Sequence, residues 1–280
     1  METVSPDVTD REKVIALARR AGELIDEHQA AIAELSRERR EAVSDLITAG
    51  MTQAQVAEAI GMTRARVGQL LSSGPSPERA FLGTGNLTVA VGGKYEAGKE
   101  QPGHVVSAEA FATYERIAGL ARTLGLKAEY EVVPPPGDVQ LNRTNLIVIT
   151  NPRLLPFVGQ VLAADVNLGF RVDDKGWYLI NHQTKTEYRS PADSGSAADY
   201  AYLGRLPRPD GRGTFLYLAG IHAMGTLGAG KYLEDHIEDL YREVKTRRFS
   251  VLLEAKYDPE TRELTSVDAI SPIYRHEGIA

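Results

Sequence analysis

The 280-residue chain contains no cysteine, which excludes disulfides and thiolate metal sites outright. It also lacks a long apolar run. The most hydrophobic stretch, around Phe215–Met224, falls far short of the roughly 20 residues that a membrane-spanning helix needs. The first residues, METVSPDVTDREKV, carry no basic-then-apolar export pattern. Neither internal repeats nor low-complexity tracts occur. The expectation is a cytoplasmic protein with no membrane partner. Positive charge is scarce too: the formal net charge is −6, and acids outnumber bases even within residues 1–80. That balance argues against a protein that coats nucleic acid unspecifically. It does not exclude a specific reader, because only its docking face must be positive.

What is present is ordinary globular material: 42% hydrophobic and 25% charged residues, over a length that suits two domains with separate cores. Residues 1–72 read as helical, and 73–86 as a linker rich in proline, glycine and serine. Residues 87–280 alternate between strand and helix patterns. The expected class is an α+β two-domain protein: an N-terminal all-α unit, then a C-terminal three-layer α/β domain with a mixed sheet.

The first helix is expected to start at a capping box, Thr9 with Glu12. Its apolar positions run Val14, Leu17, Ala21, Leu24, His28, Ala31 and Leu35, widened by Ala18, Ile25 and Ile32. Seven-residue spacing suits a partner helix, so residues 10–35 are a candidate homodimer seam. The alternative is packing on later helices of the same chain. His28 lies in the stripe, where a satisfied boundary histidine is the simpler reading. A separate supporting helix is expected over Ser36–Thr48, with Ala42, Val43, Leu46 and Ile47 inward.

The segment MTQAQVAEAIGMTRARVGQLL carries the functional argument. Thr52 and Gln55 form a capping box, so a helix begins at Gln53. Val56 and Ile60 face inward, and Ala57 lies where a second helix crosses closely. Gly61 ends the helix in the left-handed conformation that glycine adopts freely. Thr63 caps the next helix, whose buried face is Val67 and Leu70. Gln53, Ala57, Gly61, Val67 and Leu70 at these spacings resemble bacterial helix-turn-helix regulators, in particular the promoter-reading domain of sigma factors. The resemblance covers about residues 36–72.

Its implication is a sequence-specific transcriptional regulator whose partner is double-stranded DNA. In the family's docking mode the start of the second helix enters the major groove. Arg64 and Arg66 would then meet guanine and Gln69 adenine, with Thr63 beside them. Gln53 would offer backbone N–H groups to a phosphate, and Arg39 and Arg40 are backbone-contact candidates. The alternative, a motif that only joins proteins, usually lacks basic residues on the second helix. Here two arginines and no acid lie between Thr63 and Ser73.

In the larger domain, LTVAVGG, LKAEYEVV, NLIVITN and TFLYLAG read as strands, and 107–124 and 226–245 as helices. A further helix is expected to open at Pro152. FRVDD, GWYLINH and TEYRS form a strand-rich middle, and residues 249–271 close as a hairpin across Asp258–Arg262. Ligands gather at the carboxyl ends of strands in such sheets. That makes Gly93, Lys94, Asn151, Arg153, His222, Gly225, Thr226, Gly228 and Lys231 candidates for a small anionic or nucleotide ligand. The run Gly225 to Lys231 follows most of a phosphate-binding P-loop pattern. Tyr232, however, stands where a metal-binding Ser or Thr is required, so a nucleoside triphosphatase is not expected. Glycines that allow close packing are the competing reading. His222, and Asp199 with Tyr200, have no partner that spacing can supply, and the remaining histidines show no metal-ligand spacing. No cofactor, metal or catalytic residue is expected. The alternative function is a nucleotide-processing effector localised by its helix-turn-helix.

Overall fold

A computed structural model describes residues 6–72, 78–98, 100 and 103–276. The chain divides into two compact units, residues 1–75 and 76–280. Together they hold a mixed α/β set of elements.

The first unit is helical. Its helix α1 runs unbroken over Pro6–Thr48, which corrects the sequence reading twice. The helix starts ahead of Thr9, so Thr9 is not its cap. The expected supporting helix at Ser36–Thr48 is its last third, because no proline or glycine interrupts the chain from Glu23 to Ala49. The helix ends where Gly50 takes a φ of 97°. There Met51 N–H donates to Leu46 O and Gly50 N–H to Ile47 O.

Two short helices follow, α2 (Gln53–Ala59) and α3 (Arg64–Ser72). The capping box on α2 is present in both directions, Thr52 side chain to Gln55 N–H and Gln55 side chain to Thr52 N–H. Gly61 at a φ of 68° repeats the α1 ending, with Met62 N–H on Ala57 O. Thr63 Oγ1 accepts from Arg66 N–H at 3.2 Å and caps α3. Val43, Val56, Ala57 and Val67 form the small core, with Leu46, Ile47, Met51, Met62 and Leu71 against it. Ile60 is not part of this core. It follows the last helical residue and is 38% exposed. Ala42 is exposed as well, since Val43, one residue on, takes the inward position.

Gly68 lies inside α3, where glycine costs about 1 kcal/mol relative to alanine. A Cβ there would meet only Gln53 Oε1, at 3.7 Å, an ordinary contact. Gly68→Ala is therefore expected to stabilise the first unit by about 0.5–1 kcal/mol. A thermal or urea midpoint that falls instead of rising would contradict the packing described.

The second unit begins earlier than its strand pattern suggests. A short helix α4 (Arg79–Leu82) lies within the expected linker, and Phe81 and Leu82 are buried in the main core. Phe81 packs on Phe249 at 5.5 Å between ring centroids, and its carbonyl accepts from Arg205.

The remaining elements are β1 (Leu87–Gly92), β2 (Lys94–Tyr95), β3 (His104–Val105), α5 (Ala108–Thr123), β4 (Ala128–Val133), β5 (Leu146–Ile149) and α6 (Pro156–Leu162). After them come β6 (Leu168–Asp173), β7 (Gly176–Asn181), β8 (Thr186–Arg189), a 3-10 turn at Pro191–Ser194 and β9 (Ala198–Pro207). The chain closes with β10 (Thr214–Gly220), α7 (Ala223–Val244), β11 (Phe249–Tyr257), β12 (Leu264–Ala269) and β13 (Tyr274–Arg275). α6 opens at Pro156 rather than Pro152. Pro156 takes the first helical position, where its missing N–H costs nothing.

The main sheet has the order β12-β11-β9-β10-β5-β1-β4, with β13 beside β11. β4, β1, β5 and β10 run parallel, whereas β9, β11 and β12 pair antiparallel. The sheet is thus mixed. β5 and β10 are almost wholly buried, as parallel strands covered on both faces must be.

One face carries α5 and α7 over Val89, Val91, Ile147, Ile149, Leu216 and Leu218. The other carries α6 and the small sheet β6-β7-β8 over Val148, Phe215, Tyr217 and Tyr202. Three layers result. β9, an interior strand between β11 and β10, is the longest strand that the sequence reading did not assign.

Candidate functional site

In the first unit, α3 turns Val67 and Leu70 inward and leaves Thr63, Arg64, Arg66 and Gln69 exposed. By the 3.6-residue period Gln69 lies opposite the buried face, Arg64 and Arg66 flank that face on its two sides, and Thr63 is the cap ahead of the first turn. Arg64 forms no ion pair or side-chain hydrogen bond among the described residues. Arg66 Nη1 donates to Gln69 Oε1 at 3.2 Å, which holds the two as a pair of hydrogen-bonding groups. Gln53 opens α2 half-buried, its side chain beside Gly68 of α3. Arg39 is exposed on α1, while Arg40 is half-buried. Arg37, which sequence reasoning passed over, is buried and pairs with Glu41 at 2.9 Å, so its role is within the unit.

The stripe on α1 is open. Val14, Leu17, Leu24, Ile25, Ile32 and Leu35 are between 45% and 69% exposed, and His28 is exposed. Packing of this stripe onto later helices of the same chain is not seen among the described residues.

In the second unit, the connections after β1 and β5 leave toward opposite faces. β1 leads to α5 on one, β5 to α6 on the other, and a crevice opens between their carboxyl ends. A cavity of about 280 Å³ occupies it. Of the residues anticipated at strand ends, Lys94, Asn151, Arg153, His222 and Thr226 line this cavity. Ser107, Thr150 and Arg262 join them. Arg262 was missed as a site residue because it arrives from the distant β11–β12 hairpin. It reaches Glu109 at 2.7 Å. Glu109 is held below the ordinary carboxylate value, because hydrogen bonding and the nearby charges of Arg262 and Lys94 outweigh the upward push of burial. Lys94 and Arg153 form no ion pair among the described residues. Among the described residues no carboxylate lines the cavity.

The other anticipated residues have structural work, and the physical reasons are specific. Gly93 is buried against Val132, and Gly92 takes the lining position instead. Gly225, Gly228 and Lys231 lie inside α7 with the cavity-lining Thr226, not in a loop, so no phosphate-wrapping loop exists there. A Cβ on Gly225 would lie 2.6 Å from Asp199 Oδ2, one on Gly228 2.4 Å from Ala255 Cβ, and one on Gly230 2.7 Å from Thr113. These glycines let α7 press against β9, β11 and α5. Lys231 pairs with Asp235 at 2.8 Å, one turn along the same helix.

The amino terminus of α7 is already satisfied. Asp199 Oδ2 accepts from the N–H groups of His222 and Gly225, both at 2.8 Å. Burial pushes the Asp199 carboxyl up, opposed by Ser190 and by those two N–H donors. Asp199, flagged from sequence without a partner, thus caps the start of α7 with its carboxyl oxygen. The His222 ring turns to Asp193, 2.7 Å away on the 3-10 turn. Among the described residues no cluster of three or more acids and histidines is arranged to hold a metal.

A second cavity of about 480 Å³ opens between α6 and the β6–β7 hairpin. Phe170, Trp177 and Leu162 supply apolar walls, Arg171 and His182 the polar edge, and Arg153 lines it as well. Sequence reasoning did not single out this cavity. Trp177 is the only tryptophan in the chain and was the one available signal.

Compared with known proteins, the chain matches no protein-family model, no curated protein and no solved structure. No helix among the described residues is long and apolar enough to cross a membrane.

Proposed function

We propose that this protein is a sequence-specific DNA-binding transcriptional regulator acting in the cytoplasm. In this reading the first unit reads the duplex and the α/β unit senses a ligand. The single observation that carries it is α3, a capped helix presenting Thr63, Arg64, Arg66 and Gln69 outward with its buried face fixed on α2 and α1. That arrangement suits insertion of its amino-terminal half into a major groove, with arginine facing guanine and glutamine facing adenine. The resemblance of residues 36–72 to sigma-type promoter readers supports the same mode. Net charge of −6 means that binding depends on this local face and weakens steeply with salt.

The exposed heptad stripe on α1 favours a second copy of the chain as partner, since one helix then buries its apolar side against its twin. A dimer reads two half-sites related by its own symmetry. The crevice in the α/β unit is the sensing site, and a ligand there acts by preferring one arrangement of the dimer.

Selection from a randomised duplex pool with the full-length protein tests this reading. Enrichment of one motif as paired half-sites is expected. A pool that stays random at low salt, with the protein folded, would overturn the regulator reading.

A further inference from the structure

Two cavities of different character meet at one side chain in the α/β unit. The crevice cavity, between the ends of β1 and β5, is rimmed by Lys94 and Arg153 and by the hydroxyls of Ser107 and Thr150. Neither cation forms an ion pair among the described residues, although the Glu109 carboxylate acts on Lys94 from nearby, and both side chains lie on the exposed side, where a ligand arrives without displacing a buried pair. Cations with hydroxyl donors and no lining carboxylate fit an oxyanion such as a phosphate. The neighbouring cavity is walled by Trp177 and Phe170, which fit a flat ring by stacking. Arg153 lines both. Burial, aided by the charge of Arg171, lowers the pKa of His182. That shift favours the neutral imidazole, which offers one donor and one acceptor at the rim of the aromatic cavity.

We propose that the α/β unit binds a nucleoside phosphate, its phosphate beside Lys94 and Arg153 and its base against Trp177. This names the ligand class for the sensing role above, and for that purpose it rests on that reading. The combined space falls within the range of roughly 300–1,000 Å³ usual for small-molecule sites. The chemistry asks for both halves of the ligand at once. A nucleoside without phosphate leaves the two cations unanswered, and phosphate alone leaves the aromatic cavity empty.

The experiment titrates full-length protein with the four nucleoside 5′-monophosphates and triphosphates, with adenosine and with inorganic phosphate. Trp177 emission, excited at a wavelength that nucleotides do not absorb, reports the base, and calorimetry reports binding itself. At least one nucleotide is expected to change Trp177 emission and to bind at least about tenfold more tightly than adenosine or phosphate. Arg153→Ala and Lys94→Ala, both at exposed positions, are each expected to weaken it by about tenfold or more while the circular dichroism spectrum stays unchanged. No binding by any nucleotide would overturn the proposal. So would equal affinity for phosphate and nucleotides with Trp177 silent. The titration contains no DNA, so its failure leaves the duplex-selection result standing, and a random duplex pool leaves nucleotide binding standing.

Discussion

Asp165→Ala is expected to destabilise the α/β unit by about 3–5 kcal/mol, the range for removing one member of a buried charged network. Asp165 is 3% exposed at the entry to β6. Its Oδ1 accepts from Asn167 N–H at 2.8 Å and Leu168 N–H at 3.1 Å, and His276 Nε2 lies 3.4 Å away. Its Oδ2 accepts from the hydroxyl of Tyr202 at 2.9 Å, on the interior strand β9. Tyr202 is fully buried, and burial together with the Asp165 charge keeps its hydroxyl protonated. Alanine leaves that hydroxyl and two backbone donors without an acceptor in the core.

The same carboxylate makes stability depend on pH. Burial pushes Asp165 up, but hydrogen bonds from His276, Ser250 and Asn167 outweigh it, and the folded value lies below the ordinary 3.8. A depressed carboxylate contributes stability that is complete above its unfolded value and is lost as pH falls through the folded one. Asp165→Asn, which keeps one acceptor oxygen, is expected to cost less at pH 7 and to flatten the acid limb below about pH 4. Urea unfolding of the full-length variants across pH checks both. A loss under 1 kcal/mol for Asp165→Ala would contradict the network.

Local chemistry was the legible part of this fold. Thr52 with Gln55, Gly61 and Thr63 act within four residues of themselves, and α2 and α3 start and stop where they direct. Ile60 was misread because the helix ends one residue earlier than its 3.6-residue pattern implies. For α6, two prolines competed, and only the position of the extended residue Leu155 before Pro156 decides between them. β9 went unassigned although β10 follows it directly as a hairpin partner, because its near-continuous burial also reflects β11 on the other side, which lies far along the chain.

The site shows the same division. Strand-end positions brought Lys94, Asn151, Arg153, His222 and Thr226 to one crevice, since topology alone sends strand ends there. The glycines of α7 stayed open between two readings because an anion-binding helix start and a tightly packed helix share one local pattern. Only Asp199, Ala255 and Thr113, distant in sequence, distinguish the two. Arg262 and Trp177 reach their cavities from separate hairpins, and no local spacing announces that.

The central claim is that α3 reads base sequence through Arg64 and Arg66. Each arginine that meets a guanine in bidentate fashion contributes about 1–3 kcal/mol of discrimination, so losing both is expected to weaken specific binding on the order of 100-fold. Both side chains are exposed and make no contact that the small core of Val43, Val56, Ala57 and Val67 needs. The Arg64→Ala/Arg66→Ala protein is therefore expected to fold as the parent does. The measurement is the affinity of each protein for the enriched duplex and for a shuffled duplex of equal length, at one salt concentration. The account predicts that the parent prefers the enriched duplex strongly, whereas the double variant binds both almost equally. A double variant that keeps the parent's preference would show that α3 does not read the sequence.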